Sequence, residues 1–156
     1  MFTLHPTLEK DTVILGHFPL SLVLLSKDSR YPWCILVPQR SNVRDIHHLD
    51  SEDRRQLMEE SCYLAESMVS MFAPDKMNVA ALGNQVPQLH LHHIARFKDD
   101  AAWPNPVWGA HPPLAYSDEE LNNRVSRLRS ALAGQEFIVS DVAPEPSTQF
   151  NQTIET

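Results

Sequence analysis

The stretch QLHLHHIA, residues 88–95, places three histidines within four positions. Side chains alternate between the two faces of a strand, so a strand here groups Gln88, His90 and His92 on one face and turns His93 to the other. Neighbours on one face stand roughly 7 Å apart, which lets two imidazoles and a carboxamide line one ligand site. Pro87 suits the start of such a strand, where no ladder hydrogen bond is required.

Three interpretations fit a His-x-His pair on a strand. The first is structural, with both rings packed and hydrogen-bonded. The second is a metal site, for which Asp99 and Asp100 are the nearest further ligands. The third is nucleophilic catalysis, in which a neutral imidazole attacks and polar neighbours hold phosphate oxygens. Residue chemistry alone does not choose between metal binding and catalysis.

Four further segments have the composition of strands: TVILGHF (12–18), LSLVLLS (20–26), WCILVP (33–38) and MNVAALG (77–83). The first three are joined by connections too short for crossover helices, which favours antiparallel pairing. Together with the histidine segment, they predict one antiparallel sheet.

Two segments carry helical periodicity. Residues 50–72 place apolar side chains at three- and four-residue spacing behind an acidic first turn. The second helix begins at a capping box formed by Ser117 and Glu120 and is predicted to run to about residue 133. We therefore predict an α+β domain over residues 1–140, followed by a polar tail at 141–156.

Composition excludes several classes of protein. The length of 156 residues suits one domain with a real core, and the net charge of −7 argues against binding duplex nucleic acid. Two cysteines without a CxxC motif indicate reduced thiols. The N-terminus does not have the pattern of a signal peptide, and the apolar runs are too short for a membrane helix. We expect a soluble, cytoplasmic protein with no membrane partner.

The segment NVAALGNQVPQLHLHHIARF, residues 78–97, resembles the signature strand of the histidine triad (HIT) superfamily of nucleotide hydrolases and transferases. The superfamily pattern is His-φ-His-φ-His-φ-φ, where φ is apolar. The order of apolar strands, WCILVPQR and one long helix also agrees, so the resemblance covers most of residues 10–110. The later DDAAWPNPVWG resembles a bacterial subgroup. The resemblance implies a HIT-like α+β fold with a five-stranded antiparallel sheet and two main helices, commonly in a homodimer.

The resemblance also implies a mechanism. The middle histidine of the motif, here His90, attacks the α-phosphorus of a nucleotide and forms a nucleotidyl-imidazole that water hydrolyses. His92 lies against the phosphate oxygens. A backbone carbonyl oxygen accepts a hydrogen bond from the N–H on the other ring nitrogen of the nucleophilic histidine. The implied substrate is a nucleoside phosphoramidate or a dinucleoside polyphosphate. No metal cofactor is implied, although a polyphosphate often arrives with Mg²⁺.

Two positions depart from the pattern. Gln88 replaces the first histidine, and an amide can donate a hydrogen bond but cannot protonate a leaving group. We therefore expect weak activity, and a nucleotide-binding regulatory module with little turnover is the alternative; a His-ligated metal protein is the third possibility. His93 takes a usually apolar place, where a packed histidine near a subunit contact is expected.

Three further residues are predicted to bind substrate. Asn84 resembles the polar residue that the superfamily aims at phosphate, with a turn-forming asparagine as the alternative. Asn78 is a candidate for the same role, or fills a strand end. Asp28 is a candidate for the ribose hydroxyls, or is an ordinary turn residue. Trp103 and Trp108 are predicted to be buried in their proline-rich loop, with a cover over the base or the partner subunit as the alternative.

Overall fold

The computed structural model describes residues 1–144. One antiparallel sheet contains six strands in the order β4-β5-β3-β2-β1-β6. The strands are β1 Thr12–His17, β2 Ser21–Ser26, β3 Trp33–Pro38, β4 Lys76–Ala80, β5 Leu91–Arg96 and β6 Ile138–Val139. The predicted α+β architecture is confirmed. The sheet has six strands instead of five because the two-residue β6 pairs with β1.

Three helices accompany the sheet: α1 Pro6–Asp11, α2 Ser51–Phe72 and α3 Asp118–Leu132. The two long helices match the predicted segments closely. The Asp50 side chain caps α2 by accepting the amide N–H of Asp53, and the predicted capping box of Ser117 and Glu120 starts α3. The six-residue α1 was not predicted, because its sequence is too short to show a helical period.

The two faces of the sheet have different covers. On one face, α2 and α3 pack over a core that includes Leu15, Leu36, Leu64, Met68 and Leu128. On the other face, the N-terminal segment and α1 cover only part of the surface with Leu4 and Leu8, against Leu22, Leu24, Ile35 and Val37. The second face therefore has room for a cleft beside the N-terminal segment.

The predicted tail begins in contact with the domain. Arg129 of α3 donates a hydrogen bond to the Asp141 carboxylate at 2.7 Å, although that carboxylate is largely exposed. Residues 145–156 of the predicted tail lie outside the described residues. Among the helices of residues 1–144, none has the length and hydrophobicity needed to cross a bilayer.

Candidate functional site

The histidine segment forms its strand later than predicted. β5 begins at Leu91, and the preceding residues are held by a different bond, from the Leu89 amide to the Val43 carbonyl at 2.9 Å. The rings of His90 and His92 nevertheless meet, with centroids 4.8 Å apart and planes at 73°. Both side chains are largely buried. The two imidazoles therefore lie together on the face of the sheet away from α2, although only His92 belongs to β5.

His90 is held in one tautomer by the backbone. Its Nδ1 lies 2.7 Å from the Gln88 carbonyl oxygen, which can only accept, so Nδ1 carries the proton and Nε2 keeps its lone pair. Burial lowers the pKa of His90; the backbone hydrogen bond opposes this shift, and the nearby His5 adds a smaller lowering. The ring is therefore neutral at neutral pH, with an available lone pair on Nε2.

His92 is held in the opposite tautomer by Trp33. The indole Nε1 donates to His92 Nδ1 at 3.0 Å, so in the neutral ring the proton is on Nε2. Burial lowers the pKa of His92 to about 3, with smaller contributions from His90 and His93. The pair therefore combines one imidazole lone pair with one imidazole N–H donor.

Trp33 was not identified from the sequence. It belongs to β3, in which Ile35 lies opposite His92, so Trp33 sits two residues away on the same face. Its ring packs beside His92, as does that of Trp108, with centroid separations of 5.6 and 5.1 Å. Pairing the histidine strand with WCILVP would have identified it, but the sequence does not reveal which strands are neighbours.

His93 faces the helices, as alternation predicts. It is fully buried, with Nδ1 3.0 Å from the Leu91 carbonyl oxygen and Nε2 2.7 Å from Ser61 Oγ of α2. The carbonyl fixes the proton on Nδ1, so Nε2 accepts the Ser61 hydroxyl. Burial lowers the pKa of His93 to about 4, against an opposing effect of the backbone bond. This histidine joins β5 to α2.

Gln88 is bound to the N-terminal segment. Its Nε2 donates to the Thr3 carbonyl at 2.8 Å, and its Oε1 accepts the His5 amide N–H at 2.9 Å. Both ends of the carboxamide are therefore occupied by backbone groups 83 to 85 residues away in sequence. The amide keeps a second N–H, and Gln88 lines a cavity beside His90, so a hydrogen bond from Gln88 to a phosphate is compatible with these bonds.

A cavity of about 690 Å³ opens beside the histidine pair, and we call it the aromatic cavity. Its walls include His90, His92, Trp33 and Trp108, and the volume lies in the range of small-molecule sites. Two predicted substrate residues also line it, Asn84 and Asp28. The Asp28 Oδ1 accepts the amide N–H groups of Arg30 and Leu114, so this carboxylate is fixed at the cavity wall.

Asn78 is placed elsewhere. It lies in β4 opposite Ile94, and its Oδ1 accepts from Arg96 Nη1 at 2.9 Å. It is not among the residues that line the cavities beside His90. The contact with substrate predicted for Asn78 is therefore not supported, because the side chain takes part in a buried network around Arg96.

That network anchors the loop that carries Trp108. The Arg96 guanidinium and the Asp100 carboxylate form two hydrogen bonds of 2.8 and 3.0 Å and are almost completely buried. Burial alone would raise the pKa of Asp100, but hydrogen bonds from Arg96 and from the amides of Phe97 and Trp103 lower it to about 2. Asp100, one of the suggested metal ligands, is thus committed to this ion pair.

A second cavity of about 420 Å³ adjoins the first, and we call it the basic cavity. The two share His90, Leu82 and Gly83 in their walls. The basic cavity is also lined by Arg44 and Arg54. Its position places the His90 ring at the boundary between an aromatic and a cationic space.

A group of possible metal ligands lies on the rim of the basic cavity. Oxygen or nitrogen atoms of Asp45, His47 and His48 lie within 4.8 Å of one another, and all three residues are exposed. His48 Nδ1 accepts the amide N–H of Asp45 at 3.2 Å, and the Asp45 carbonyl oxygen accepts the amide N–H of His48 at 3.0 Å. The three side chains lie close together because these reciprocal bonds stabilise the turn before α2.

Comparison with known proteins places the chain among histidine triad proteins. Residues 7–99 match the HIT domain. A histidine triad protein from Marinobacter aquaeolei is 50% identical to this chain. The alignment covers 85% of this chain and 96% of that protein, and the two structures superpose with a TM-score of 0.83. One from Bradyrhizobium japonicum is 46% identical, covers 84% and 98%, and has a TM-score of 0.82.

A more distant structure shares the fold. A hypothetical histidine triad nucleotide-binding protein from Sulfolobus tokodaii is 12% identical, covers 80% of this chain and 85% of its own, and has a TM-score of 0.62. Among proteins with curated descriptions, none matches the chain.

Proposed function

Because the chain belongs to the HIT domain family, we propose that it is a nucleotide hydrolase or nucleotidyl transferase in which His90 forms a covalent nucleotidyl intermediate. The superfamily includes nucleotide hydrolases and transferases. The single observation that supports this mechanism most strongly is the pair of opposite tautomers. His90 presents a lone pair where His92 presents an N–H, as a nucleophile and its phosphate ligand require.

The first step forms a bond between His90 Nε2 and the α-phosphorus and breaks the bond from that phosphorus to the leaving group. The leaving group takes the bonding electron pair. A neutral imidazole is suited to this attack, because the anionic oxygens around phosphorus repel an anionic nucleophile. Positive charge that develops on the ring is stabilised by the Nδ1–H bond to the Gln88 carbonyl, and His92 Nε2–H donates to a phosphate oxygen.

The second step regenerates the enzyme. Water, or an acceptor alcohol or phosphate in a transfer reaction, attacks phosphorus, and the bond between phosphorus and Nε2 breaks. The electron pair returns to His90, the attacking group loses its proton to solvent, and the nucleotide product leaves. Burial keeps His90 neutral at the end of each cycle, ready for the next attack.

The aromatic cavity is the proposed nucleoside site. Trp33 and Trp108 offer flat apolar surfaces for a base, and Asp28 is a fixed acceptor for ribose hydroxyls. Asn84 lies in the wall where an amide can donate to the α-phosphate. A polyphosphate substrate can bring Mg²⁺ with it, but neither of the two proposed chemical steps uses the ion.

One observation favours the second candidate, a nucleotide-binding module with little turnover. The Gln88 carboxamide is held by Thr3 and His5 and has no acidic proton to give, so the first motif position supplies no general acid. A His-ligated metal site has weaker support. Nδ1 of both His90 and His92 is already hydrogen-bonded, and Asp100 is paired with Arg96.

The decisive experiment follows nucleotide release by chromatography and the covalent adduct by intact mass after acid-free quenching. Adenosine 5′-phosphoramidate and diadenosine tetraphosphate are the two substrates. We expect His90→Ala to abolish both turnover and adduct, whereas His17→Ala, on β1, retains them. Unchanged turnover in His90→Ala would refute the assignment. Tight nucleotide binding without cleavage by the wild type would favour the binding module.

A homodimer is part of the proposal. β4 is an end strand of the sheet, and its Val79 is about half exposed, as is the adjacent Leu82. End strands with exposed apolar side chains favour pairing with a second chain. We expect the wild type to sediment as a dimer at micromolar concentration and Val79→Lys to sediment as a monomer. Val139→Lys, at the opposite edge, is the control; a monomeric wild type would contradict this assembly.

The cytoplasm is the proposed location. Cys34 and Cys62 are both free thiols, the first buried in β3 and the second exposed on α2. Unpaired thiols are typical of proteins in a reducing compartment. Fractionation of the native host would test this part of the proposal.

A further inference from the structure

We propose that the basic cavity binds an anionic leaving group, which makes phosphoanhydrides, and not phosphoramidates, the preferred substrates of this protein. The inference rests on the proposed function, because it concerns the portion of the substrate that departs from the His90 intermediate. It depends on three features: the continuity of the two cavities, the charge of the second one, and the chemistry available at Gln88.

The first feature is continuity. His90, Leu82 and Gly83 line both cavities, so a substrate with its α-phosphate at His90 Nε2 has space on either side. The aromatic cavity suits the nucleoside because its walls carry two tryptophan rings. The phosphates beyond the α-phosphorus then extend across Gly83 into the basic cavity.

The second feature is charge. Arg44, Arg54 and His47 line the basic cavity of a chain whose net charge is −7, so this is a local departure from the acidic character of the protein. Arg54 Nη1 donates to the Leu49 carbonyl oxygen at 2.6 Å, which holds this guanidinium at the wall. Within residues 1–144 its other N–H groups have no hydrogen-bond partner, and they can bind a ligand. Among the described residues the wall contains one carboxylate, that of Asp45, and it is exposed to solvent.

The third feature is the absence of an acid at the first motif position. A phosphoramidate releases an amine, which must gain a proton as the bond to phosphorus breaks. Gln88 cannot supply that proton, and its carboxamide is bound to Thr3 and His5. A phosphoanhydride releases a phosphate oxygen that leaves as a stable anion. In that case the bond breaks with its electron pair on the oxygen, and arginine N–H groups stabilise the charge without transferring a proton.

The test compares specificity in single variants. We measure kcat/KM for diadenosine tetraphosphate and for adenosine 5′-phosphoramidate, and take their ratio. Arg44→Gln and Arg54→Gln should each lower this ratio roughly ten-fold, as expected for the loss of one charge-assisted hydrogen bond. Arg55→Gln is the matched control, because Arg55 is an exposed arginine of α2 that does not line the cavity. Thermal unfolding of each variant checks that the fold is intact.

The outcomes separate this inference from the proposed function. If His90→Ala keeps full turnover, the covalent mechanism fails. If His90→Ala is inactive but Arg44→Gln and Arg54→Gln leave the ratio unchanged, only the leaving-group site is refuted. If the wild type cleaves neither substrate, calorimetry decides. Arg44→Gln should then weaken binding of diadenosine tetraphosphate roughly ten-fold more than binding of AMP, and equal effects would overturn the inference.

Discussion

Replacing Trp33 by phenylalanine should weaken the preference of His92 for the tautomer with its proton on Nε2. The indole ring of Trp33 packs beside His92 with centroids 5.6 Å apart, and its Nε1 donates to His92 Nδ1 at 3.0 Å. Phenylalanine keeps an aromatic ring at this place but has no N–H. The Nδ1 lone pair then loses its donor inside a buried site, and the Nδ1–H tautomer, which cannot donate from Nε2, gains population.

The magnitude follows from the strength of one neutral hydrogen bond. Such a bond contributes about 0.5–1.5 kcal/mol, and about 1.4 kcal/mol corresponds to a factor of ten in an equilibrium. The population ratio of the two tautomers should therefore shift about two- to ten-fold. In the proposed mechanism only the Nε2–H form donates to the phosphate, so kcat/KM should fall in proportion to the lost fraction of that form, and by no more than the shift in the ratio.

The assay combines long-range ¹H–¹⁵N correlation spectra of the imidazole nitrogens with single-turnover rates. Trp108→Phe is the control, because Trp108 also packs against His92, at 5.1 Å between centroids, and lies in the same cavity. We expect that control to retain the Nε2–H tautomer even if its nucleotide affinity falls. Retention of the wild-type tautomer and rate in Trp33→Phe would refute the proposed positioning role of the indole.

Two predictions concern stability. The folded-state pKa of His93 is lowered to about 4, so the unfolded chain binds more protons between about pH 6.5 and 4, and stability decreases as the pH falls through that window. His93 accounts for about 3 kcal/mol over the full window, of which about 2 kcal/mol falls between pH 7 and pH 5. Urea unfolding at these two pH values should show this loss in the wild type and a smaller loss in His93→Gln, whereas equal pH dependence in the two proteins would contradict it. Asp100→Asn leaves the buried charge of Arg96 without its partner and should cost about 3–5 kcal/mol of unfolding free energy. A loss below about 1 kcal/mol in that variant would show that the Arg96 network does not anchor the loop.

Local patterns predicted much of the fold. The capping box at Ser117 and the periodicity of residues 50–72 predicted two helices within a residue or two of their observed ends. The spacing of two residues between His90 and His92 predicted that their rings lie on one face, and the rings do meet, although Gln88 and His90 precede the strand. These features depend on interactions between residues close in sequence, which composition and spacing reveal.

Hydrogen-bond partners that are distant in sequence could not be predicted. The hydrogen bonds of Gln88 to Thr3 and His5 join residues more than 80 positions apart, and the bond from Trp33 to His92 depends on which strands are neighbours. Asn78 carries the right chemistry for a substrate ligand, but Arg96 takes its side-chain oxygen. Strand β6 was missed because two residues carry no alternation to detect.

The bonds between Gln88 and residues 3 and 5 have a practical consequence for anyone who purifies this protein. Met1 is 89% exposed, and Thr3, only two residues later, is hydrogen-bonded to Gln88 in the histidine motif. An affinity tag fused ahead of Met1 therefore emerges beside the cleft, where its own histidines can mimic an imidazole ligand. Activity assays should therefore use protein from which any such tag has been removed.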